Sequence, residues 1–280
     1  MVVGTTKLAV LAPLVAASSG AVVHAPPSDA PVSLTLIAEH AVVRPGQTTA
    51  IGLVFDMKRS WHIYWDGQND TGQPPKFTAV RMPPGFELGS WEWPAPARKV
   101  LEGGILDYVY EKQAVVLVPV RIPKDAKPGE EHTLSFDVEW MQCADECQFA
   151  SETVQVKLRV GEQTGPSDGR ITKARESLPK ASGKAVVVRL AGDRATIRVE
   201  GASRLTFMPA QGTRMVKNAL EGGSSAGERL ELELGGDAKS PLQGYLSIER
   251  SGKYEETVWV SAGGPAGRVT ENKVPSEVAN

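Results

Sequence analysis

Hydrophobic residues occupy every second position in several segments of the first half of the chain. In residues 134–140, and again in 154–160, each apolar side chain is followed by a polar one. This period of two is typical of strands with one face in a core and the other in water. Residues 115–120 are apolar throughout, which is typical of a central strand buried on both faces.

Other strand-like segments lie between turn sequences. Residues 33–36 alternate, RPGQ at 44–47 is a turn, and 48–55 is rich in β-branched and aromatic residues, so that a first hairpin is predicted. Residues 61–65 form a compact aromatic strand. The following residues, 66–75, are rich in Gly, Pro and Asp and predict a long exposed loop.

The chain is predicted to be all-β, with two domains. Short strands without helical repeats between them fit an immunoglobulin-like β-sandwich over residues 32–160. A polar linker at 161–180 contains a short helix, and a second, smaller β domain follows at 181–262, with about six strands. A disordered tail is expected at 263–280.

The composition is typical of folded domains, and the charge disfavours two classes of binding partner. Of the 280 residues, 41% are hydrophobic and 23% are charged, which excludes wholesale disorder, collagen-like repeats and coiled coil. The formal net charge is -2, and no block of Lys or Arg is present. We therefore expect neither a nucleic-acid partner nor binding to an anionic membrane surface.

The N-terminus has the layout of a secretory signal peptide. An apolar run at 8–17 follows Lys7 and precedes small residues, and it is too short to span a bilayer. Cleavage after Ala21 is favoured over cleavage after Ala25, because the latter would leave Pro26 directly after the cut. Residues 1–21 are therefore predicted to direct export, and no membrane insertion is expected after cleavage.

The two cysteines, Cys143 and Cys147, form the one constellation suited to chemistry. An exported chain with cysteines four residues apart is expected to pair them. A disulfide needs Cα atoms about 4.4 to 6.8 Å apart, whereas four residues of extended strand span roughly 13 Å, so the chain must turn there. We expect a tight bend after the strand at 134–140. Strand parity puts Cys143 on the face opposite Trp140, and we expect it to be reachable from solvent.

Three interpretations of the cysteine pair remain open from the residues alone. Closing so short a loop contributes only about 2 kcal/mol, which favours an exchangeable disulfide over a structural staple. Asp145 and Glu146 argue against an exchangeable pair, because neighbouring carboxylates disfavour ionisation of a thiol to a thiolate. The alternatives are a non-catalytic binding or assembly module with a structural disulfide, and a copper-binding protein that adds the thioether of Met141.

Short segments across the first domain form an ordered set. They are WHIYW at 61–65, TGQPP at 71–75, WEWPAP at 91–96, LDYVYE at 106–111, VPV at 118–120 and the closing cysteine pair. This set resembles the N-terminal periplasmic domain of the thiol:disulfide interchange protein DsbD, and more closely that of its relative ScsB. Three segments of the second half, ARESLP, TFMP and LQGY, resemble the β domain that follows in the ScsB type.

The resemblance implies a periplasmic pair that cycles between dithiol and disulfide. Cys147 would form the mixed disulfide with a partner, and Cys143 would resolve it. The implied partners are a separate membrane electron-transfer protein and thioredoxin-like periplasmic proteins, because this sequence contains neither a membrane-spanning segment nor a thioredoxin-like CxxC motif. Gln148 and Phe149 depart from the family, which has an aliphatic residue and Pro there, so this departure puts the exchange activity in question.

A shielding loop is expected at 103–110, where the family carries a cap over its cysteines. Two glycines at 103 and 104 supply a hinge. The apolar residues of the expected cap are Ile105, Leu106, Tyr108 and Tyr110. The alternative is that these residues simply lead into the strand at 115–120.

No cofactor and no metal site are predicted. His40, His62 and His132 have no ligand spacing, and we assign them no role. The sequence contains no Ser/His/Asp set, paired-carboxylate signature or glycine-rich phosphate loop. Any oxidoreductase activity therefore depends on the cysteine pair.

Overall fold

The computed structural model of the chain describes residues 29–183 and 185–263. The predicted signal peptide at 1–21, and all but the first residue of the predicted tail at 263–280, lie outside the described residues. No helix in the described ranges is long and apolar enough to cross a membrane.

The first half of the described chain consists of strands joined by turns. They are β1 (Val32–Ala38), β2 (Val42–Val43), β3 (Thr48–Met57), β4 (His62–Tyr64), β5 (Lys76–Arg81), β6 (Glu87–Leu88), β7 (Ala97–Leu101), β8 (Ile105–Glu111), β9 (Gln113–Arg121), β10 (Glu131–Cys143) and β11 (Cys147–Val160). β1 and β3 pair antiparallel across the turn at 44–47, which confirms the first predicted hairpin.

The second half begins with a helix and continues as strands. The elements are α1 (Gly169–Glu176), β12 (Lys180–Ala181), β13 (Val186–Ala191), β14 (Arg194–Val199), β15 (Arg204–Pro209), α2 (Ala219–Gly222), β16 (Ser224–Ala226), β17 (Arg229–Glu233), β18 (Leu242–Arg250) and β19 (Lys253–Ala262). The strands predicted for this half are present as β13, β14, β15, β17, β18 and β19.

Two sheets face each other in the first half. One has the order β1-β3-β9-β6, and the other has the order β2-β11-β10-β4-β8-β7, with β5 paired to β10. The alternating apolar side chains of β10 and β11 meet those of β1, β3 and β9 in one buried cluster between the sheets. This arrangement confirms the predicted all-β, immunoglobulin-like sandwich.

β9 is apolar on both faces because both faces are covered. Val116 points into the sandwich core, whereas Leu117 packs in a separate cluster with Ile171 and Ala174 of α1. Gly52 on the neighbouring β3 permits this approach, since a Cβ there would lie 2.7 Å from Ile171 Cδ1. The apolar run at 115–120 therefore reflects a helix packed on the outside of the sheet.

The predicted short helix is α1, and its start has a local cause. Asp168 precedes the helix with extended backbone angles, and its side chain accepts a hydrogen bond from the Arg170 N–H at 2.9 Å. Such a residue satisfies one of the N–H groups that the first helical turn leaves unpaired. Pro179 stands just beyond the end, where a helix cannot continue past it.

The second half has its own core between two further sheets. Their orders are β12-β19-β18-β15-β16 and β13-β14-β17. The inward-facing residues include Ile197, Leu205, Leu232 and Leu246, all at most 1% exposed. This confirms a second β domain.

Aromatic side chains join the two domains. The rings of Trp65 and Tyr245 stack with centroids 4.7 Å apart, and Trp259 meets Tyr245 edge-on at 5.5 Å. The Tyr245 hydroxyl donates a hydrogen bond to the carbonyl oxygen of Trp93 at 3.1 Å. Met208, Tyr245 and Trp259 belong to the same buried cluster as the sandwich core, so apolar packing is continuous across the domain boundary.

The segment 66–75 is a loop, as predicted, but it is exposed only in part: four of its ten residues are exposed, whereas Gly67 and Pro75 are buried. Gly67 forms a bridge with Ala210 of the second domain, and the Gln68 N–H donates to the Pro209 carbonyl at 2.9 Å. Turn-forming residues predict where the chain bends and carry no information about what packs on the bend.

Replacing Tyr245 by Ala is predicted to lower the free energy of unfolding by about 3 to 5 kcal/mol, because it removes a buried ring from the domain interface. Chemical denaturation measures the change. Tyr254→Ala is the matched control, since Tyr254 is 63% exposed and its loss should cost less than about 0.5 kcal/mol. Equal losses for the two variants would show that the interface does not stabilise the protein.

Candidate functional site

The cysteines close a long hairpin formed by β10 and β11. Residue pairs run without interruption from Glu131 opposite Arg159 to Cys143 opposite Cys147. The two cysteines form a disulfide, with Cα atoms 4.1 Å apart. The predicted disulfide and the predicted bend are both confirmed. The hairpin register brings the two cysteines opposite each other.

The two cysteines differ in solvent exposure. Cys147 is exposed, whereas Cys143 is only 2% exposed. The expectation that solvent reaches Cys143 is therefore wrong. Its parity argument holds, because Trp140 lies in the sandwich core and Cys143 on the opposite face, but Tyr64 and Val109 cover that face.

Tyr64 makes the closest polar contact with the disulfide. Its hydroxyl donates a hydrogen bond to Cys143 Sγ at 3.0 Å and lies 4.0 Å from Cys147 Sγ. Burial, followed by the charge of Asp107, raises the pKa of Tyr64 above its usual value of 10.0. The hydroxyl therefore keeps its proton and acts as a donor at neutral pH.

The loop at 66–75 holds Tyr64 in place. A Cβ on Gly72 would lie 1.8 Å from Tyr64 Cδ1, so only glycine lets the backbone lie against the ring. The neighbouring Thr71 donates to the fully buried Asp107 through its hydroxyl at 2.7 Å and its N–H at 3.1 Å. These bonds satisfy a buried carboxylate and fix the loop over Tyr64.

Side chains of the same loop also replace a strand beside β8. β4 ends at Tyr64, so the N–H groups at the start of β8 have no strand partner on that side. The Asn69 and Asp70 side chains accept from the N–H groups of Tyr108 and Leu106 at 2.8 and 2.7 Å. The loop therefore joins the sheet next to the disulfide.

The segment expected to form a cap loop is a strand. β8 pairs with β7 across the turn at Gly103 and Gly104, and it pairs with β4 on its other side. Three of the four named cap residues, Leu106, Tyr108 and Tyr110, lie in the sandwich core, and Ile105 lies at the start of the strand. The structure contradicts the assignment of these residues as the shield. The β8 residue that packs beside Cys143 is Val109.

His62 is a residue of this site that the sequence analysis missed. It lies on β4 directly opposite Cys143, and it is 3% exposed. Its Nε2 lies 3.3 Å from the Tyr64 hydroxyl, and its Nδ1 lies 3.5 Å from Lys99 Nζ. Burial, and then the charge of Lys99, lowers the pKa of His62 below 6.5. The available signal was its spacing of two from Tyr64, which puts both side chains on one face of a strand.

Lys99 connects this buried group to the surface. Its ammonium forms an ion pair with Glu111 at 2.8 Å. The hydrogen bond from Lys99 lowers the pKa of Glu111 below its usual value. The carboxylate of Glu111 is therefore charged at neutral pH.

The surface beside Cys147 combines charge with an exposed ring. Asp145 and Glu146 lie exposed in the bend, and Phe149, two residues beyond Cys147 on β11, is 71% exposed. The even spacing places Phe149 on the same face of β11 as Cys147. Within residues 29–183 and 185–263, no three side chains of His, Cys, Asp or Glu come together as metal ligands.

The fold and the site define a class of protein: an immunoglobulin-like sandwich with a half-exposed disulfide at the end of its central hairpin. Residues 34–158 match the family model described as thiol:disulfide interchange protein DsbD, N-terminal. The first domain of this chain is therefore similar to the N-terminal domain of DsbD.

Solved structures add a likeness that extends over both domains. The N-terminal periplasmic domain of ScsB from Proteus mirabilis matches over 88% of this chain and 98% of that one, with a TM-score of 0.59 and 16% identity. At this identity the match shows a shared fold. The E. coli chaperone DraB matches at 15% identity over 82% of this chain and 98% of that one, with a TM-score of 0.25, too low to define a common fold. No curated protein sequence matches the chain.

Gly72→Ala is predicted to speed reduction of the disulfide by a small thiol such as glutathione, because the added Cβ displaces the ring that covers Cys143. We expect a rise of about tenfold, measured from the rate of thiol release under excess glutathione. Gly169→Ala serves as the control, since a Cβ there meets nothing within 4 Å. An unchanged rate in a folded Gly72→Ala variant would show that Tyr64 does not shield the sulfur.

Proposed function

We propose that this chain is an exported thiol–disulfide exchange module that relays reducing equivalents through Cys143 and Cys147. The observation that carries the proposal is the unequal exposure of the two cysteines. A partner thiolate has access to Cys147, while Cys143 is held beneath Tyr64 and Val109. Exchange proceeds by attack of a thiolate on one sulfur and release of the other, so unequal access fixes the order of events.

In this scheme Cys147 forms the mixed disulfide and Cys143 resolves it. The partner's thiolate attacks Cys147 Sγ, and Cys143 Sγ leaves with the electron pair of the broken bond. A second partner thiol then attacks the mixed disulfide, which leaves the module as a dithiol and the partner as a disulfide. Transfer to a periplasmic protein is the reverse sequence. The match of residues 34–158 to the DsbD family supports these roles.

The surroundings of Cys147 favour exchange with proteins over exchange with small thiols. Asp145 and Glu146 repel an approaching thiolate and disfavour ionisation of Cys147. A docked partner excludes water and gains contact with the exposed Phe149 ring. Gln148 and Phe149, where the sequence departs from the family, thus stand in the proposed contact surface.

We place the module in the periplasm, between a membrane electron-transfer protein or thioredoxin-like reductant and periplasmic substrates. The apolar run at 8–17 and the family of the first domain support this location. The competing interpretations are a binding or assembly module with a structural disulfide, and a copper-binding protein.

The reduction potential of the Cys143–Cys147 pair separates exchange from a structural role. We expect a potential well above about -300 mV, since structural disulfides of exported proteins fall below that value. Equilibration with glutathione or dithiothreitol buffers, read by alkylation and mass spectrometry, measures it. A value below that limit would leave the structural interpretation.

Trapping with single-cysteine variants tests the assigned roles. Cys143→Ala is predicted to accumulate mixed disulfides with a thioredoxin-like partner, because the exposed Cys147 reacts and no resolving thiol remains. Cys147→Ala should trap few, since the remaining Cys143 is buried. Denatured chains of both variants, which expose either thiol equally, are the control. Equal trapping by the two folded variants would contradict the assignment.

A further inference from the structure

A chain of polar side chains leads from the protein surface to Cys143. It runs from Glu111 to Lys99, then to His62, then to Tyr64, and ends on Cys143 Sγ, with distances of 2.8, 3.5, 3.3 and 3.0 Å. The residues come from β8, β7, β4 and β10, so tertiary packing brings them together. His62 and Tyr64 are 3% and 1% exposed, so both side chains are shielded from bulk water.

The contact between Lys99 and His62 favours one direction for the hydrogen bonds between His62 and the sulfur. The Lys99 ammonium carries donors only, so a hydrogen bond between it and His62 Nδ1 requires that Nδ1 accept. A neutral imidazole that accepts at Nδ1 carries its proton on Nε2 and donates to the Tyr64 oxygen. The Tyr64 oxygen then accepts from His62, and its own hydrogen is directed to Cys143 Sγ. From Lys99 inward, the donors therefore point toward the sulfur, while Lys99 also donates outward to Glu111.

We propose that His62 and Lys99 are positioning residues that hold the Tyr64 hydroxyl as a hydrogen-bond donor for the thiolate of Cys143. This inference rests on the proposed function, in which Cys143 is the sulfur released when a partner attacks Cys147. Tyr64 is the catalytic residue of the group, since it alone touches a reacting atom.

The step balances without a proton transfer. The bond between the partner sulfur and Cys147 Sγ forms, the bond between the two protein sulfurs breaks, and Cys143 departs with the electron pair as a thiolate. The hydrogen bond from Tyr64 shortens onto the new charge, and the proton stays on the oxygen, because a phenol is a weaker acid than a thiol. Stabilisation of this leaving group lowers the barrier to attack at Cys147.

The charged groups around His62 favour a neutral imidazole that accepts a hydrogen bond at Nδ1. His62 faces Lys99 of β7, Glu111 and Asp107 of β8, the backbone of Ser60, and Tyr64 of its own strand. The ammonium of Lys99 opposes a second positive charge on the ring, so His62 remains neutral and keeps one accepting nitrogen. The carboxylate of Glu111 holds the ammonium at the surface end.

The pKa of the Cys143 thiol, measured in full-length Cys147→Ser by ultraviolet absorbance of the thiolate, tests the inference without any partner. Adding Tyr64→Phe, which keeps the ring, should raise that pKa so that ionisation becomes about tenfold weaker. Tyr108→Phe is the matched control: it removes another buried tyrosine hydroxyl, one without a hydrogen-bond partner in the described structure, and should leave the pKa unchanged. The same pKa in both variants would overturn the proposal.

Variants of the positioning residues separate orientation of Tyr64 from general packing. His62→Leu should weaken ionisation of Cys143 about threefold, and His62→Gln, whose amide N–H replaces the Nε2 donor, should restore it. Lys99→Met, at a side chain 28% exposed, should act like His62→Leu without unfolding the protein. In the native chain, nitrogen NMR should find His62 protonated on Nε2, and protonation on Nδ1 would contradict the chain of donors.

Different results would contradict the proposed exchange function and the proposed hydrogen-bond donation by Tyr64. Absence of exchange with a thioredoxin-like protein, together with the expected pKa changes, would remove the proposed function and leave the donor chain. Normal exchange with no pKa change in Tyr64→Phe would remove the donor chain and leave the function.

Discussion

The antiparallel register of β10 and β11 is the constraint on which the site depends. Once Leu134 faces Val156 and Phe136 faces Val154 in the core, every later pair is fixed, including Cys143 opposite Cys147. A slip of one residue would turn the core face of a strand to solvent, so core burial strongly favours this register. The disulfide therefore lies at a position set by hydrophobic packing many residues away.

The covering of one sulfur follows from how the neighbouring strands end. β4 is short and stops at Tyr64, and the chain then folds back as the loop at 66–75. The buried carboxylate of Asp107 binds this loop, and Gly72 lets it lie against the Tyr64 ring. Cys143 is covered and Cys147 is open as a result, and the exchange that we propose uses this difference.

The second domain packs against the segment that follows β4. Trp65, directly after β4, stacks on Tyr245, and the loop backbone bonds to Pro209. These contacts anchor the first part of the segment that carries Tyr64 and Gly72, and Asp107 of β8 binds its other end. The second domain thus acts as a support for the segment that leads to the disulfide site.

The sequence by itself determined the fold class, most strands and the disulfide. Alternation at 134–140 and 154–160 specified the strands because a half-buried strand requires a period of two, and a spacing of four required the bend at the cysteines. Strands of two or three residues, such as β2, β6 and β16, were missed because they are too short to display a period. β5 and β7, of six and five residues, were also missed, because they contain no fully buried side chain and show no sustained apolar alternation.

Only the tertiary structure decided what covers each face. Parity placed Cys143 opposite Trp140 correctly, but Tyr64, which covers it, is 79 residues away in the chain. The same limit misassigned the shield to Leu106, Tyr108 and Tyr110 and left His62 without a role. A periodic pattern determines which residues share a face, whereas contacts between distant segments determine whether that face meets water, a core or a sulfur atom.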